Sequence, residues 1–209
     1  MPDWAVVASL GTAVGTLVLA IATFASVLSG RRAARVAERA LLAQTQPILA
    51  PSRTSDPDTK IGFQGGKWVV APGGGAAVEL TEEAIFLAIS VRNVGPGLAV
   101  LHSWHARLAD LTASSEHADL SDFHRLTRDL YVPSGDMGFW QGALRDPGLD
   151  EFTAIAKAIE ERQPLFIDVL YGDHEGGQRV ISRFILTPHD GRWLAAVARY
   201  WNLDRKDPR

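Results

Sequence analysis

The chain has 209 residues, a formal net charge of -3 and no cysteine, which excludes disulfides, thiol catalysis and cysteine-ligated zinc. Beyond residue 60, fifteen Lys or Arg stand against twenty Asp or Glu, so the main part of the chain is mildly acidic and a poor candidate for wrapping nucleic acid. Arginine outnumbers lysine seventeen to four, which reads as GC-rich bacterial coding rather than as chemistry.

The first predicted element runs from Trp4 to Ser29, twenty-six residues without a charge. As a helix it spans roughly 39 Å, enough for a hydrocarbon core of about 30 Å. A cleavable signal opens on basic residues and has a shorter apolar core, whereas this chain opens on Met1-Pro2-Asp3. A buried core helix would carry a polar face. The stretch therefore predicts a single membrane span over residues 1–30. Arg31, Arg32, Arg35 and Arg39 follow it, and by the positive-inside rule they set the cytoplasmic boundary at the inner (plasma) membrane. The N-terminus is then expected outside, with Trp4 at the outer interface and the arginines against anionic lipid of the inner leaflet.

Large apolar residues of the span crowd one side of the helix. Gly11, Gly15, Ala22 and Ser26 fall on another, and Gly11-x-x-x-Gly15 is a small-xxx-small motif of the kind that lets two helix backbones approach. Its functional reading is packing against a second copy or another membrane helix. The competing reading is that alanine-rich coding scatters small residues everywhere. Residues 31–46 continue as a basic juxtamembrane helix or stalk, stopped by Pro47.

Residues 47–203 read as one domain, with 204–209 a polar tail. Pro51–Lys60 reads as a loop and the glycine-rich Ala71–Ala77 as a turn with too many glycines to hold one shape, with a short strand at Lys67–Ala71 between them. "EAIFLAISVRN" (Glu83–Asn93) alternates with period two, predicting one buried and one polar face. After "NVGPG" a second alternating run places Leu98, Val100, His102, Trp104, Ala106 and Leu108 on one face, and the pair predicts a hairpin. "SDFHRLTRDL" is expected as a short helix capped by Ser121. "LDEFTAIAKAIEER" is an amphipathic helix, "LFIDVLYGD" and "RVISRFILTP" are paired strands, and "RWLAAVARYW" is a last strand. Short turns and one-sided alternation predict a mainly antiparallel β-sandwich with one or two inserted helices.

The single N-terminal span, the arginine-rich helix ending in a proline, "ISVRNVGPGLAV" and "DVLYGDHEGGQRVISRFIL" resemble a group of uncharacterised bacterial, actinobacterial-type single-pass membrane proteins. That resemblance covers most of the chain and implies an immunoglobulin-like β-sandwich domain on a membrane anchor. It implies no catalytic residues.

Candidate chemistry is thin. His102 and His105, three apart on a strand, fall on opposite faces, and His102 reads as a core histidine. His117 and His124 are about 10 Å apart on a helix, too far to share one ion. Asp173, His174 and Glu175 mark a solvated turn. Asp168 sits in an apolar run. It either faces solvent or is buried against an arginine such as Arg183 on the next strand. No phosphate-cradling loop or nucleophile elbow is present. Trp68, Trp104, Trp140, Trp193 and Trp201 form a ligand face, or else belong to the core or rim the domain edge. The sequence thus predicts a non-catalytic, membrane-anchored interaction module without metal or cofactor, its cytoplasmic domain binding a protein partner and its span able to self-associate. A membrane-tethered enzyme or an exported cell-surface binding domain is the alternative.

Overall fold

The structure is a computed structural model that describes residues 3–110 and 116–205. Two compact units emerge, Met1–Ala43 and Gln44–Arg209.

The first unit is most of helix α1 (Trp4–Gln44), 41 residues without a break. Ala8–Gln44 is long and apolar enough to cross a membrane, and its large side chains from Leu10 to Leu28 are exposed. The helix runs through Gly30 into the arginine segment, so span and stalk are one rod of roughly 60 Å. Its hydroxyls are internally satisfied: Thr12, Thr16, Thr23 and Ser26 each donate to the carbonyl four residues back, at 2.8–3.0 Å. That removes the cost of an unpaired polar group in hydrocarbon.

The second unit is built from strands β1 (Leu49–Pro51), β2 (Thr59–Gly62), β3 (Trp68–Ala71), β4 (Gly75–Leu80), β5 (Ile85–Asn93), β6 (Ala99–Leu108), β7 (His124–Val132) and β8 (Met137–Leu144). Helix α2 (Asp150–Glu160) follows, then β9 (Leu165–Gly172), β10 (Val180–His189) and β11 (Arg192–Asn202). One antiparallel sheet runs β8-β5-β4-β11-β10-β9-β6-β7, with β1 continuing the β4 side of β5. It curls into a sandwich-like half-barrel whose two end strands, β7 and β8, come side by side without a ladder between them among the described residues. The interior holds Leu87, Ile89, Trp104, Trp140, Ile167, Val169, Tyr171 and Phe184, all buried. Phe152, Ile155 and Ala158 of α2 join this core, which is the face that an apolar spacing of three predicts. Burying Phe152 and Ile155 stabilises the fold by about 1.5–3 kcal/mol each.

The predicted hairpin does not form. β5 pairs with β1, β4 and β8, whereas β6 pairs with β7 and β9. The Asn93–Gly97 segment carries the chain across the half-barrel instead. Asn93 is fully buried there. Its Oδ1 accepts from Ile48 N and Gly95 N, and its Nδ2 donates to Gly97 O and Val132 O. A Cβ on Gly97 would lie 1.8 Å from Thr45 O, so the crossover is packed against incoming backbone.

Four further expectations are corrected. β5 is buried on both faces, because the β2–β3 hairpin seals its outer side through Ile61, Phe63, Val69, Phe86 and Ala88. The glycine-rich loop ends in strand β4. Gly73 and Gly74 pack against the backbone at 53–56, leaving no room for a side chain and fixing one shape. Residues 121–130 are not a helix: Leu120–Asp122 form one 3-10 turn capped by Asp119, and β7 follows. In β6 a bulge between Leu101 and Ser103 resets the alternation, so Leu101 and Trp104 share the core face.

Candidate functional site

The register of the sheet builds a polar row on its outer face. His105 on β6 lies opposite Asp168 on β9, Asp168 opposite Arg183 on β10, and Arg183 opposite Arg199 on β11. Asp168 is 1% exposed in its side chain and Arg183 4%. Their bidentate pair satisfies the buried-with-a-partner alternative and overturns the solvent-facing one. Two aromatic rings interleave the cations. The Arg183 guanidinium sits 5.0 Å from the Phe166 ring and 4.7 Å from Trp201, with Arg107 over Phe166 and Arg199 over Trp201. Arg183 also donates to Glu116 O. This row is closed and packed, and it organises the sheet.

The histidines disperse. His105 stacks against Phe123, and His117 meets Trp201 edge-on. His124 pairs with Glu151 at 2.8 Å. His102 is a half-buried wall of a cleft of about 500 Å³ rather than a core residue, because the bulge puts it outside the core face. His105 points to the same Phe123 that lines this cleft, so the opposite-face expectation also fails at the bulge. No group of three or more potential metal ligands occurs among the described residues. Burial pushes both His102 and His105 below the ordinary imidazole range. Asp173 is buried, accepting from the backbone of Glu175 and Gly177, while His174 and Glu175 are solvated.

An open site lies at the β7–β8 seam. Near the 133–136 turn the strands touch, where a Cβ on Gly138 would lie 2.7 Å from Val132. Farther along they part. Between Arg125, opposite Ser103, and Leu130, opposite Leu101, four residues of β7 arch out of the ladder. Two adjoining clefts of about 230 and 460 Å³ open there, sharing Phe63, Gln64, Thr127 and Gln141. Their base is β8 from Phe139 to Ala143. One wall is β7 and the other is the β2–β3 hairpin. Gly142 is required at the base, since a Cβ would meet the Trp104 indole at 2.6 Å. Lys60, Arg125, Arg128 and Arg145 line the trough with His124, and no acidic side chain does. Arg128 donates to Gln141 Oε1 and stacks over Phe139. Trp68 stands at the rim, 66% exposed, while Trp104, Trp140, Trp193 and Trp201 are core.

The helix residues singled out by sequence lie apart from this trough in chain order and are all exposed: Gly11, Gly15, Ala22, Ser26, Arg31, Arg32, Arg35 and Arg39. A Cβ on Gly11 or Gly15 would meet no atom within 4 Å among the described residues. The Trp4 side chain, residues 111–115 of the insertion and residues 206–209 of the tail lie outside what the structure describes. The tail's first residues are docked: Asp204 pairs with Arg179 and Arg205 donates to Gln178. The trough escaped sequence reasoning because its cations come from three separate segments. The signal that pointed to it was the run Arg125–Arg128, hidden by the helix reading. Compared with known proteins, the chain matches no family model, and no curated protein matches it.

Proposed function

We propose that the protein is a single-pass membrane-anchored interaction module, non-catalytic, whose β domain binds a protein partner on the cytoplasmic side. The observation that carries this reading is the seam trough, an open groove lined by cations and aromatic rings, whose one histidine, His124, is tied to Glu151 at 2.8 Å. Protein interfaces favour arginine and aromatic anchors of this kind. The anchor reading rests on α1, and the cytoplasmic side on the four arginines that follow its apolar stretch. The exposed small face of α1 supports self-association. The immunoglobulin-like kinship with bacterial single-pass proteins belongs to the same proposal.

The test has two parts. C-terminal reporters active only inside or only outside the cell fix the side, and an outside signal would move the domain to the cell surface. A photo-reactive residue at Thr127, compared with one at exposed Ala198 on β11, then reports contact in intact cells. One discrete adduct from Thr127 alone is expected. No adduct from either position, with the protein present in the membrane, would remove the module reading.

A further inference from the structure

We infer that the seam trough takes an acidic segment of the partner in extended conformation, laid alongside β8; this deepens, and rests on, the interaction-module reading. The first ground is charge. The domain beyond residue 60 is net acidic, yet four cationic side chains and no acidic one line these two clefts. A cationic groove on an acidic body steers anionic segments inward and rejects basic ones.

The second ground is the sheet edge. β8 is laddered to β5 along one side only; on the other, β7 leaves the β6 ladder at Leu126–Asp129, and the Arg128 side chain bridges to Gln141, a contact that an incoming strand would displace. An unladdered edge beside a groove is what strand addition uses: the main chain supplies affinity and alternate side chains supply specificity. Along an added strand, successive side chains point to opposite sides. Acidic residues at every second position would meet Arg125 and Arg128 on the β7 wall. The intervening residues would meet the Phe63 and Trp68 side.

The third ground separates a peptide from a nucleic acid, which the same charge would attract. Single-stranded nucleic acid needs free aromatic faces for its bases. Here the Phe139 face carries the Arg128 guanidinium at 5.3 Å, and the Trp68 ring lies across Gly62, within 3.3 Å of where a Cβ would be. Only the second face of Trp68 is left free, and one ring is too few to stack successive bases.

The full-length chain in lipid nanodiscs would be titrated with fluorescein-labelled eight-residue peptides, one alternating Glu and Val, one alternating Lys and Val. A third probe repeats the Glu peptide with alternate backbone nitrogens methylated, and a fourth is oligothymidylate. Saturable binding of the Glu peptide is expected, weakened about tenfold or more by Arg125→Glu with Arg128→Glu. Thr127→Trp, which fills the trough at constant charge, should weaken it likewise, and the methylated peptide should bind about tenfold more weakly than the parent. All three positions are exposed, and near-ultraviolet circular dichroism checks that the variants fold. Binding that survives these variants, equal binding of the Lys peptide, no peptide binding, or oligothymidylate binding in place of peptide would each overturn the assignment. The Thr127 cross-link then tells whether the wider module reading falls with it: a retained adduct means that only the acidic strand was wrong.

Discussion

Asp168 and Arg183 stand directly opposite each other on β9 and β10, and the guanidinium holds the carboxylate through two hydrogen bonds of 2.7 Å. Both are almost wholly buried, so each needs the other more than the fold needs the pair. Arg183→Met should destabilise the domain by about 3–5 kcal/mol, because a buried carboxylate is left uncompensated. Asp168→Leu combined with Arg183→Met should recover most of that loss. Urea unfolding of the full chain in detergent, followed by tryptophan fluorescence, checks both. A single variant as stable as the parent would mean that water reaches Asp168.

Asn93 presents a second buried polar group, this one holding the chain's crossing from β5 to β6. All four of its hydrogen-bonding positions are used. Asn93→Asp keeps the shape but turns two donations into two repulsions against Gly97 O and Val132 O. A loss of about 2–4 kcal/mol is expected, with Asn93→Ala similar because four backbone groups are left unpaired. The same unfolding assay reads it. A loss under about 0.5 kcal/mol would show that the crossover does not depend on this side chain.

Elements with strong local signals were legible in the sequence, and their partners were not. The alternation in Glu83–Asn93 and the three-residue spacing of Phe152 and Ile155 specify a strand and a helix by periodicity, and the uncharged run from Trp4 to Ser29 specifies, by length and composition, a helix long and apolar enough to cross a membrane. Which strand β5 pairs with depends on Asn93 and on glycines meeting backbone over 45 residues away, and no local pattern encodes that. The bulge at His102 is invisible for the same reason: it appears only in the pairing with β7 and β9, and it shifts the faces of the residues before it while Trp104 and Ala106 keep theirs. Asp168 stood at the limit of legibility. Its apolar neighbours pointed to burial, and Arg183 could be named as a partner, but only the register decided between them. The trough was out of reach because Lys60, Arg125 and Arg145 meet only after the sheet curls.

Acid should loosen the domain in two steps. Burial lowers the His102 and His105 pKa values, reinforced at His102 by the Arg179 charge and opposed at His105 by Glu151, Asp168 and Asp122. His105 also has a buried Nδ1 with no hydrogen-bond partner among the described residues. The unfolded chain takes up these protons near pH 6.5, and the folded chain only at lower pH. Stability is therefore full above about pH 6.5 and declines as pH falls through the folded values. A second decline follows below about pH 4, where Asp56, Asp119 and Asp204 take up protons; their pKa values are held down by hydrogen bonds to the Arg53 backbone, the Ser121 backbone and the Arg179 side chain. Melting temperatures from pH 8 to pH 3 should show a flat top and two falls, and His102→Gln with His105→Gln should flatten the upper fall alone. An unchanged upper fall in that variant would assign it to other groups.

The small face of α1 gives the last prediction. Among the described residues, nothing lies near the positions where Cβ atoms on Gly11 and Gly15 would be, so a second helix is free to approach there. In lipid the gain from association comes from close packing and not from apolar burial, since the tails are as apolar as leucine. Leucine at both glycines would hold the backbones apart and remove that gain. Gly11→Leu with Gly15→Leu should lower dimer signal in a membrane-helix reporter several-fold, about 1 kcal/mol or more. The neighbouring hydroxyls provide the contrast. Thr12 already donates to Ala8 O at 3.0 Å and Thr16 to Thr12 O at 2.8 Å, so neither donor is free to bridge two helices. Thr12→Val and Thr16→Val should accordingly leave the signal near the parent's. If the valines abolish it and the leucines do not, the helices associate through hydroxyls, and the glycine face is a by-product of alanine-rich coding.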